Sequence, residues 1–348
     1  MTRRRVTIKD IAKIAQVTPT TVSMVLNNRP RVSAETRRNI LRIAHELNYQ
    51  PDFIARSLRQ KQTRTLGLIM KNIADPFYPE LAYGISQTAT ERGYNVILCN
   101  VGDDQLAKNR TINLMRSRGV DGIISTTVLN DDPYLEQLVE ESFPFVATVR
   151  VVTKSPLAEK IDSVSVDNWS GGYRAVDHLY KLGHDRIGIV AGSLLASTGR
   201  DRTAGAREAL LDRRIEIDPE LIVDCQFNSA LARQAARRLL GMSKPPTAIF
   251  AQDDNMALGV REEVLKSGRR IPEDLALVGF DNIDTAGLTG IDLTTVNQRI
   301  YEMGARSVTV LLDRIEKKTL VPVQRIILPS ELVVRKSCGH HPRGYSRA

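Results

Sequence analysis

The chain reads as a small all-α helix-turn-helix headpiece followed by a two-lobe α/β part, with two parallel sheets carrying helices on both faces. Three observations predict this. Residues 7–28 carry two short apolar helical patterns separated by a turn, and from residue 65 short apolar runs alternate with amphipathic segments. The charge divides at the same place: residues 1–64 hold 14 Lys+Arg against 4 Asp+Glu, a net of +10, while the whole chain is formally +9, so residues 65–348 sum to −1.

In the first helix Ile8, Ile11, Ala12 and Ala15 fall on one face of a 3.6-residue period, with Thr7 and Asp10 spaced as a capping box. A turn at Gln16-Val17 follows. The second helix has Thr18 as N-cap and Pro19 at the first helical position, where a missing N–H costs nothing. Val22, Val25 and Leu26 face inward, leaving Pro19, Thr20, Thr21, Ser23 and Met24 outward. A third helix from Ser33 buries Ile40, Ile43, Ala44 and Leu47. Three such helices make a unit suited to presenting the second one, whose short outward side chains fit a DNA major groove. A basic segment by itself is most often a solvated face; beside a helix-turn-helix, Arg3, Arg4, Arg5, Lys9, Arg31, Arg37 and Arg38 become candidate phosphate contacts, which position a protein without reading sequence.

Beyond residue 65 the strand candidates are 66–70, 96–99, 122–125, 145–149, 187–191, 248–251 and 275–280. The helix candidates between them are 80–92, 106–118, 170–182, 201–211, 230–240 and 254–267. This alternation argues for parallel sheets covered by helices, and the length exceeds one such core, which gives two lobes. Ligands of open parallel sheets bind at the carboxyl ends of strands, so the space between the lobes is the expected site. No run of about 18 apolar residues exists, and the arginine-rich start lacks a following apolar region, so a cytoplasmic protein is expected. The three cysteines have no paired spacing. Cys99 and Cys225 read as small buried side chains and Cys338 as a tail thiol.

Ten strings occur in order along the chain: Val6-Thr-Ile-Lys-Asp-Ile-Ala, Thr21-Val-Ser-Met-Val-Leu-Asn, Val32-Ser-Ala-Glu-Thr-Arg, Tyr49-Gln-Pro-Asp-Phe-Ile-Ala-Arg-Ser-Leu, Asp75-Pro-Phe-Tyr, Gly119-Val-Asp-Gly-Ile-Ile, Leu182-Gly-His-Asp-Arg-Ile, Asp254-Asn-Met-Ala-Leu-Gly, Gly279-Phe-Asp-Asn and Leu293-Thr-Thr-Val. By these the chain resembles the lactose-repressor (LacI/GalR) family of bacterial transcription regulators, to about Glu331. The resemblance implies a ligand-responsive repressor of carbohydrate-related genes that binds a palindromic operator as a homodimer, with a periplasmic-binding-protein-like α/β part. It implies a headpiece over 1–50, a hinge helix and linker over 51–64, and an effector-binding and dimerisation domain over 65–335. In that domain an N-lobe comprises 65–164 and 295–322 and a C-lobe 165–294 and 323–335, with crossings near 163–166, 293–296 and 322–326. A flexible tail, 336–348, has no leucine heptads and gives no reason to expect more than a dimer.

The family likeness adds Thr7 and Asn27 to the DNA-binding set and places the hinge helix at 52–59. There Ala55 and Leu58 form a small apolar edge, Arg59 lies beside it, and Leu58 matches the leucine wedged into the minor groove at the operator centre. A helix this short is expected to form only with DNA and a partner hinge present. The implied effector residues are Phe77, Tyr78, Arg150, Thr198, Arg202, Phe227, Asp253 and Asp281. Asp253 and Asp281 each follow a strand candidate, and with Arg150 and Arg202 they offer charged partners to a hydroxylated ligand. Phe77 and Phe227 would stack on an apolar ring face. Asp253 also reads as a helix cap, Asp281 as a loop aspartate, and Trp169 either as cleft lining or as packing under a helix.

Enzyme motifs are absent: no Gly-x-Gly-x-x-Gly follows the first strand, and there is no Walker loop, Gly-x-Ser-x-Gly elbow or paired-histidine metal motif. No catalytic residue, metal or cofactor is therefore expected. Two other non-enzymatic readings are a sugar-transport receptor, whose signal peptide would stand where the headpiece is, and a global carbon-control regulator docked by a phosphocarrier protein. One position departs from the family pattern: Met24 stands where relatives commonly carry an arginine that makes a bidentate contact to guanine. Met24→Arg is expected to shift the selected operator toward guanine at one symmetric pair of positions, by roughly 1–3 kcal/mol. In-vitro site selection checks this, and an unchanged site would mean that residue 24 does not face the bases.

Overall fold

The computed structural model describes residues 6–26, 29–49, 62–317 and 322–339. The chain divides into two units, Met1–Thr63 and Arg64–Ala348. In the first, α1 (Ile8–Ile14), α2 (Pro19–Leu26) and α3 (Ala34–Glu46) close around Ile11, Val22, Val25, Ile40 and Ile43. Local chemistry sets the boundaries. The backbone N–H of Thr7 donates to Asp10 Oδ2 at 2.8 Å, and Thr18 Oγ1 accepts from the backbone N–H of Thr21 at 3.2 Å. Gln16 turns the chain at φ +52°, and Ser33 Oγ caps α3 through the N–H of Thr36. On α2, Pro19 and Thr20 are exposed, and Thr21, Ser23 and Met24 are half-buried at its rim.

Arg37 departs from the expectation of a phosphate contact. Its guanidinium turns inward and donates to the carbonyls of Arg29, at 2.6 Å, and Val25, at 3.4 Å. It satisfies carbonyls at and beyond the end of α2 that have no helical partner. Arg31, at φ +99°, and Arg38 remain exposed. Asn27, Ala55, Leu58 and Arg59 lie outside the described residues.

The second unit holds two six-stranded sheets. The first contains β1 (Thr65–Met70), β2 (Asn95–Asn100), β3 (Gly122–Ser125), β4 (Phe145–Thr148), β5 (Asp162–Val166) and β11 (Arg325–Leu328), in the order β11-β5-β4-β3-β1-β2. The second contains β6 (Ile187–Ala191), β7 (Ile222–Asp224), β8 (Ala248–Ala251), β9 (Ala276–Asp281), β10 (Thr294–Asn297) and β12 (Glu331–Val333), in the order β12-β10-β9-β8-β6-β7. Every pairing is parallel except β10 with β12. Helices α4 (Phe77–Glu91), α5 (Gln105–Ser117), α6 (Pro133–Glu140) and α11 (Ile300–Lys317) belong to the first lobe. The second lobe has α7 (Asn168–Lys181), α8 (Ser197–Leu211), α9 (Ser229–Leu240) and α10 (Asp254–Lys266).

The lobe crossings fall later than the expected 293–296 and 322–326. Residues 294–297 pair with β9 in the second sheet, and the chain crosses only after Asn297 to form α11; residues 325–328 pair with β5 in the first sheet and cross after Leu328. The tail expected from 336 is also packed through Cys338. Ser337 Oγ donates to the Leu277 carbonyl at 2.6 Å and accepts from the N–H of Thr294 at 2.8 Å, and Cys338 is fully buried beside His178 and Thr294. Cys225 is buried and Cys99 half-buried. Both outer helices omitted from the sequence reading, α6 and α11, carry apolar residues at helical spacing, and α11 covers β3, β4 and β5.

Each lobe is closed by one helix pair in reciprocal glycine contact. A Cβ on Gly84 of α4 would stand 2.4 Å from the Tyr301 carbonyl of α11, and one on Gly304 would stand 2.5 Å from the Leu81 carbonyl. In the second lobe, a Cβ on Gly172 of α7 would stand 2.2 Å from the Arg202 carbonyl, and one on Gly205 of α8 would stand 1.9 Å from the Trp169 carbonyl. The neighbours are backbone, so an added methyl forces the helices apart. Gly205→Ala should destabilise the protein by about 1–3 kcal/mol in urea unfolding. An unchanged midpoint would show that α7 and α8 separate without cost.

Candidate functional site

The carboxyl ends of the two sets of strands face each other across a cavity that opens to solvent, and all eight expected effector residues line it. Phe77 and Tyr78 open α4, where Asp75 Oδ1 accepts the N–H of Phe77 at 3.1 Å and fixes the turn. Arg150 follows β4, Asp253 follows β8, and Asp281 ends β9. Thr198 and Arg202 both lie on the first two turns of α8, which begins at Ser197, four residues earlier than the expected 201.

Arg202 is 2% exposed. Its Nε donates to Asn168 Oδ1 at 2.8 Å, its Nη1 donates to the Gln252 carbonyl, and the same Nη1 stands 3.7 Å from Asp281 Oδ1. The guanidinium lies 3.7 Å above the centre of the Phe280 ring, so one face is spent on stacking and the edge points at the carboxylate. Phe227, at φ +57°, rests its ring where any Cβ on Gly192 would stand 2.1 Å from it. Lys71, Arg150 and Arg202 surround that ring at 5.7, 5.8 and 5.9 Å from its centre. Toward the opening, Asp103 pairs with Lys71 at 2.6 Å and Arg150 at 3.1 Å. Burial pushes its carboxyl up, but these two cations outweigh that and hold it below the usual range.

The floor is rich in acid. Burial raises Asp75, lifts Asp253 to about 7 with repulsion from Asp75 adding to it, and raises Asp281 well above the ordinary carboxylate value against the pull of Arg202. Asp253 Oδ1 caps α10 through the N–H of Met256 at 2.5 Å, and its side chain also lines the cavity. Asp281 is a strand end, not a loop residue. It holds φ +127° and Asn282 holds φ +61°, a kink costing about 1–3 kcal/mol per residue. Asp254 secures it from beneath, accepting from the N–H of Ile283 at 3.0 Å and from Thr295 Oγ1 at 2.6 Å, while Arg335 donates to Asn282 Oδ1 at 2.7 Å.

Sequence reasoning did not single out Lys71, Asn72, Asp75, Val149 or Gln298, which also line the cavity. Asp75 lay in the Asp-Pro-Phe-Tyr string and its capping spacing was available. Gln298 had no signal, because it follows β10, a strand not drawn from the sequence. Its Nε2 donates to Asp281 Oδ1, and its buried Oε1 has no donor among the described residues. Trp169 takes neither expected place: it is 44% exposed and stacks on Tyr173 at 5.5 Å. Among the described residues no helix is long and apolar enough to cross a membrane, and no group of His, Cys, Asp and Glu is arranged to hold a metal ion.

Two family models match the chain. That described as "Bacterial regulatory proteins, lacI family" covers residues 7–52, and that described as "Periplasmic binding proteins and sugar binding domain of LacI family" covers 63–335. The ribose operon repressor of Halalkalibacterium halodurans is 36% identical over 331 residues, covering 95% of this chain and 96% of its own. Among solved structures, the Lac repressor dimer bound to operator and the anti-inducer ONPF superposes with a TM-score of 0.86 at 28% identity, covering 96% of this chain and 99% of that one. The complex of the regulator CelR with cellobiose gives 0.73 at 32% identity, covering 96% of this chain and all of that one. A helix-turn-helix headpiece joined to a two-lobe domain with this cleft, and likeness over nearly the full length, place the chain in the LacI family of bacterial DNA-binding transcription regulators.

Proposed function

We propose that this regulator acts in the cytosol as a homodimer on a palindromic operator, and that a polar, sugar-derived effector held between Arg202 and Asp281 sets its operator affinity. The observation that carries the effector reading is the composition of the cavity floor. Arg202, Asp253 and Asp281 are each buried to 4% exposure or less, Gln298 offers an acceptor with no donor among the described residues, and Phe227 supplies an apolar face beside them. Hydroxyl groups donate and accept at once, so a sugar edge matches carboxylates, guanidinium and amide together, while its C–H face matches the ring. The ribose and cellobiose regulators among its relatives support a carbohydrate ligand. This reading assigns no reaction to the cleft.

Twofold symmetry of a dimer carries over to the two half-sites of its operator. The effector acts only through its different affinities for the lobe arrangements that favour and disfavour DNA. Contacts that cross between the lobes show what such a ligand would bias: Ser197 Oγ accepts from the N–H of Val151 at 3.0 Å, Arg200 donates to Thr153 Oγ1 at 2.8 Å, and Lys71 donates to the Gln226 carbonyl at 3.0 Å.

Asp281→Ala should abolish the effect of the ligand on operator affinity, leave ligand-free operator affinity near wild type, and weaken ligand binding by roughly 1.5–3 kcal/mol. Calorimetry and operator titrations read these separately. A variant that binds and responds normally would reject the pocket assignment; intact binding with lost response would make Asp281 a coupling residue instead.

A further inference from the structure

Lys71 stands in the first lobe, one residue past β1, where its carbonyl accepts from the N–H of Gly102 at 3.0 Å. Its side chain is only 14% exposed, and its ammonium sits between oxygens of opposite lobes. On its own side Asp103 pairs with it at 2.6 Å; across the cleft it donates to the Gln226 carbonyl at 3.0 Å. Hydrogen bonds from a charged donor are among the stronger ones, and Asp103 keeps this donor aimed at the second lobe.

The segment that Lys71 reaches is strained. Gln226 and Phe227 follow one another at φ +54° and +57°, where bulky side chains are rare, and such geometry persists only where its surroundings impose it. Three groups do so. Asp224 Oδ1 accepts from the N–H of Gln226 at 2.9 Å, Gly192 gives the Phe227 ring the room that a Cβ would take, and Lys71 holds the Gln226 carbonyl. The first two belong to the second lobe, whereas Lys71 belongs to the first. The placement of Phe227, which lines the effector cavity, therefore depends on how the lobes stand to each other. The other contacts that cross the cleft, Val151 with Ser197 and Arg200 with Thr153, do not bear on the turn that carries Phe227.

We propose that Lys71 is the latch of the cleft: by holding the Gln226 carbonyl from the opposite lobe it keeps the lobes together and Phe227 in place, and so sets the balance between lobe arrangements that the effector shifts. Lys71 is a positioning residue, acting through Phe227 and through closure. The proposal rests on the reading of this cleft as the effector site.

The test is amide hydrogen exchange on the full chain without ligand, so no effector need be known. The N–H of Val151 donates across the cleft to Ser197 Oγ and shares no partner with Lys71, so its exchange reports separation of the lobes and not local loosening around residue 71. Lys71→Met keeps the apolar stem and removes the donors. In it Val151 and Gln226 should exchange about tenfold faster or more, while the amides of β6 and β8 keep their wild-type rates. Lys71→Arg, which retains a cation with donors for both oxygens, should stay within about threefold of wild type. Ligand-free affinity for an operator obtained by in-vitro selection should shift about fivefold or more in Lys71→Met. Val151 exchanging at the wild-type rate in Lys71→Met overturns the latch, as does Lys71→Arg exchanging as fast as Lys71→Met. Equal acceleration in β6 and β8 would make Lys71 a support of the fold and overturns it too. An unshifted operator affinity in spite of faster Val151 exchange overturns the regulatory role. None of these outcomes touches the effector pocket itself, which stands or falls with Asp281→Ala.

Discussion

A guanidinium held at 2% exposure is the constraint around which the cleft is organised. An unpaired cation in such a place would be prohibitive, so Arg202 must be met by oxygen, and the fold supplies it from Asn168 at the start of α7, the Gln252 carbonyl after β8 and the Asp281 carboxylate at the end of β9, while the Phe280 face covers the guanidinium plane. Those groups come from three places in the second lobe: the start of α7, the residue after β8, and the end of β9. The glycine contact between Gly172 and the Arg202 carbonyl sets how near α8 can approach, and therefore where the guanidinium arrives. The strained Asp281–Asn282 kink follows from the same need, because it turns a carboxylate out of the strand and toward the cation.

Acids and two buried cations, Arg202 and Arg150, share the lining of this cavity. Asp75, Asp253 and Asp281 repel one another and are driven toward their protonated forms by burial, while Arg202 is already shared among several acceptors. Ligand hydroxyls donating to these carboxylates would relieve that repulsion. Gln298 connects this chemistry to the frame of the molecule. It holds Asp281 and stands on the segment that crosses into α11, which packs along the first sheet and on α4. A ligand that pulls on Asp281 therefore acts on a connection between the lobes and not on one lobe alone.

Much of this was legible in the sequence. The headpiece announced itself because caps, turn and apolar period agree over a few residues, as in Thr7 with Asp10 and Thr18 with Thr21. Central strands such as β3, β4 and β8 read as short apolar runs because they are buried throughout. What did not read clearly depends on long-range pairing. Residues 295–297 and 325–328 belong to opposite sheets from those expected, a choice made by pairing with β9, a dozen residues upstream, and with β5, on the other side of the second lobe's sequence. Arg37 carried a surface charge signature yet serves carbonyls near the end of α2, and Cys338 lay in a polar tail yet packs beneath Thr294. The expected effector residues came from likeness to a family. Composition alone would not have separated Asp281 from Asp254, which stays beneath the kink and holds it.

The account turns on a ligand occupying the space between Arg202 and Asp281. A crystal structure of the full chain with the sugar that stabilises it most against heat tests this directly. The account predicts ligand oxygens within hydrogen-bond distance of both Arg202 and Asp281, one ring over Phe227, and a donor to Gln298 Oε1. A ligand bound elsewhere on the molecule, with the cavity around Arg202 unfilled, would contradict it.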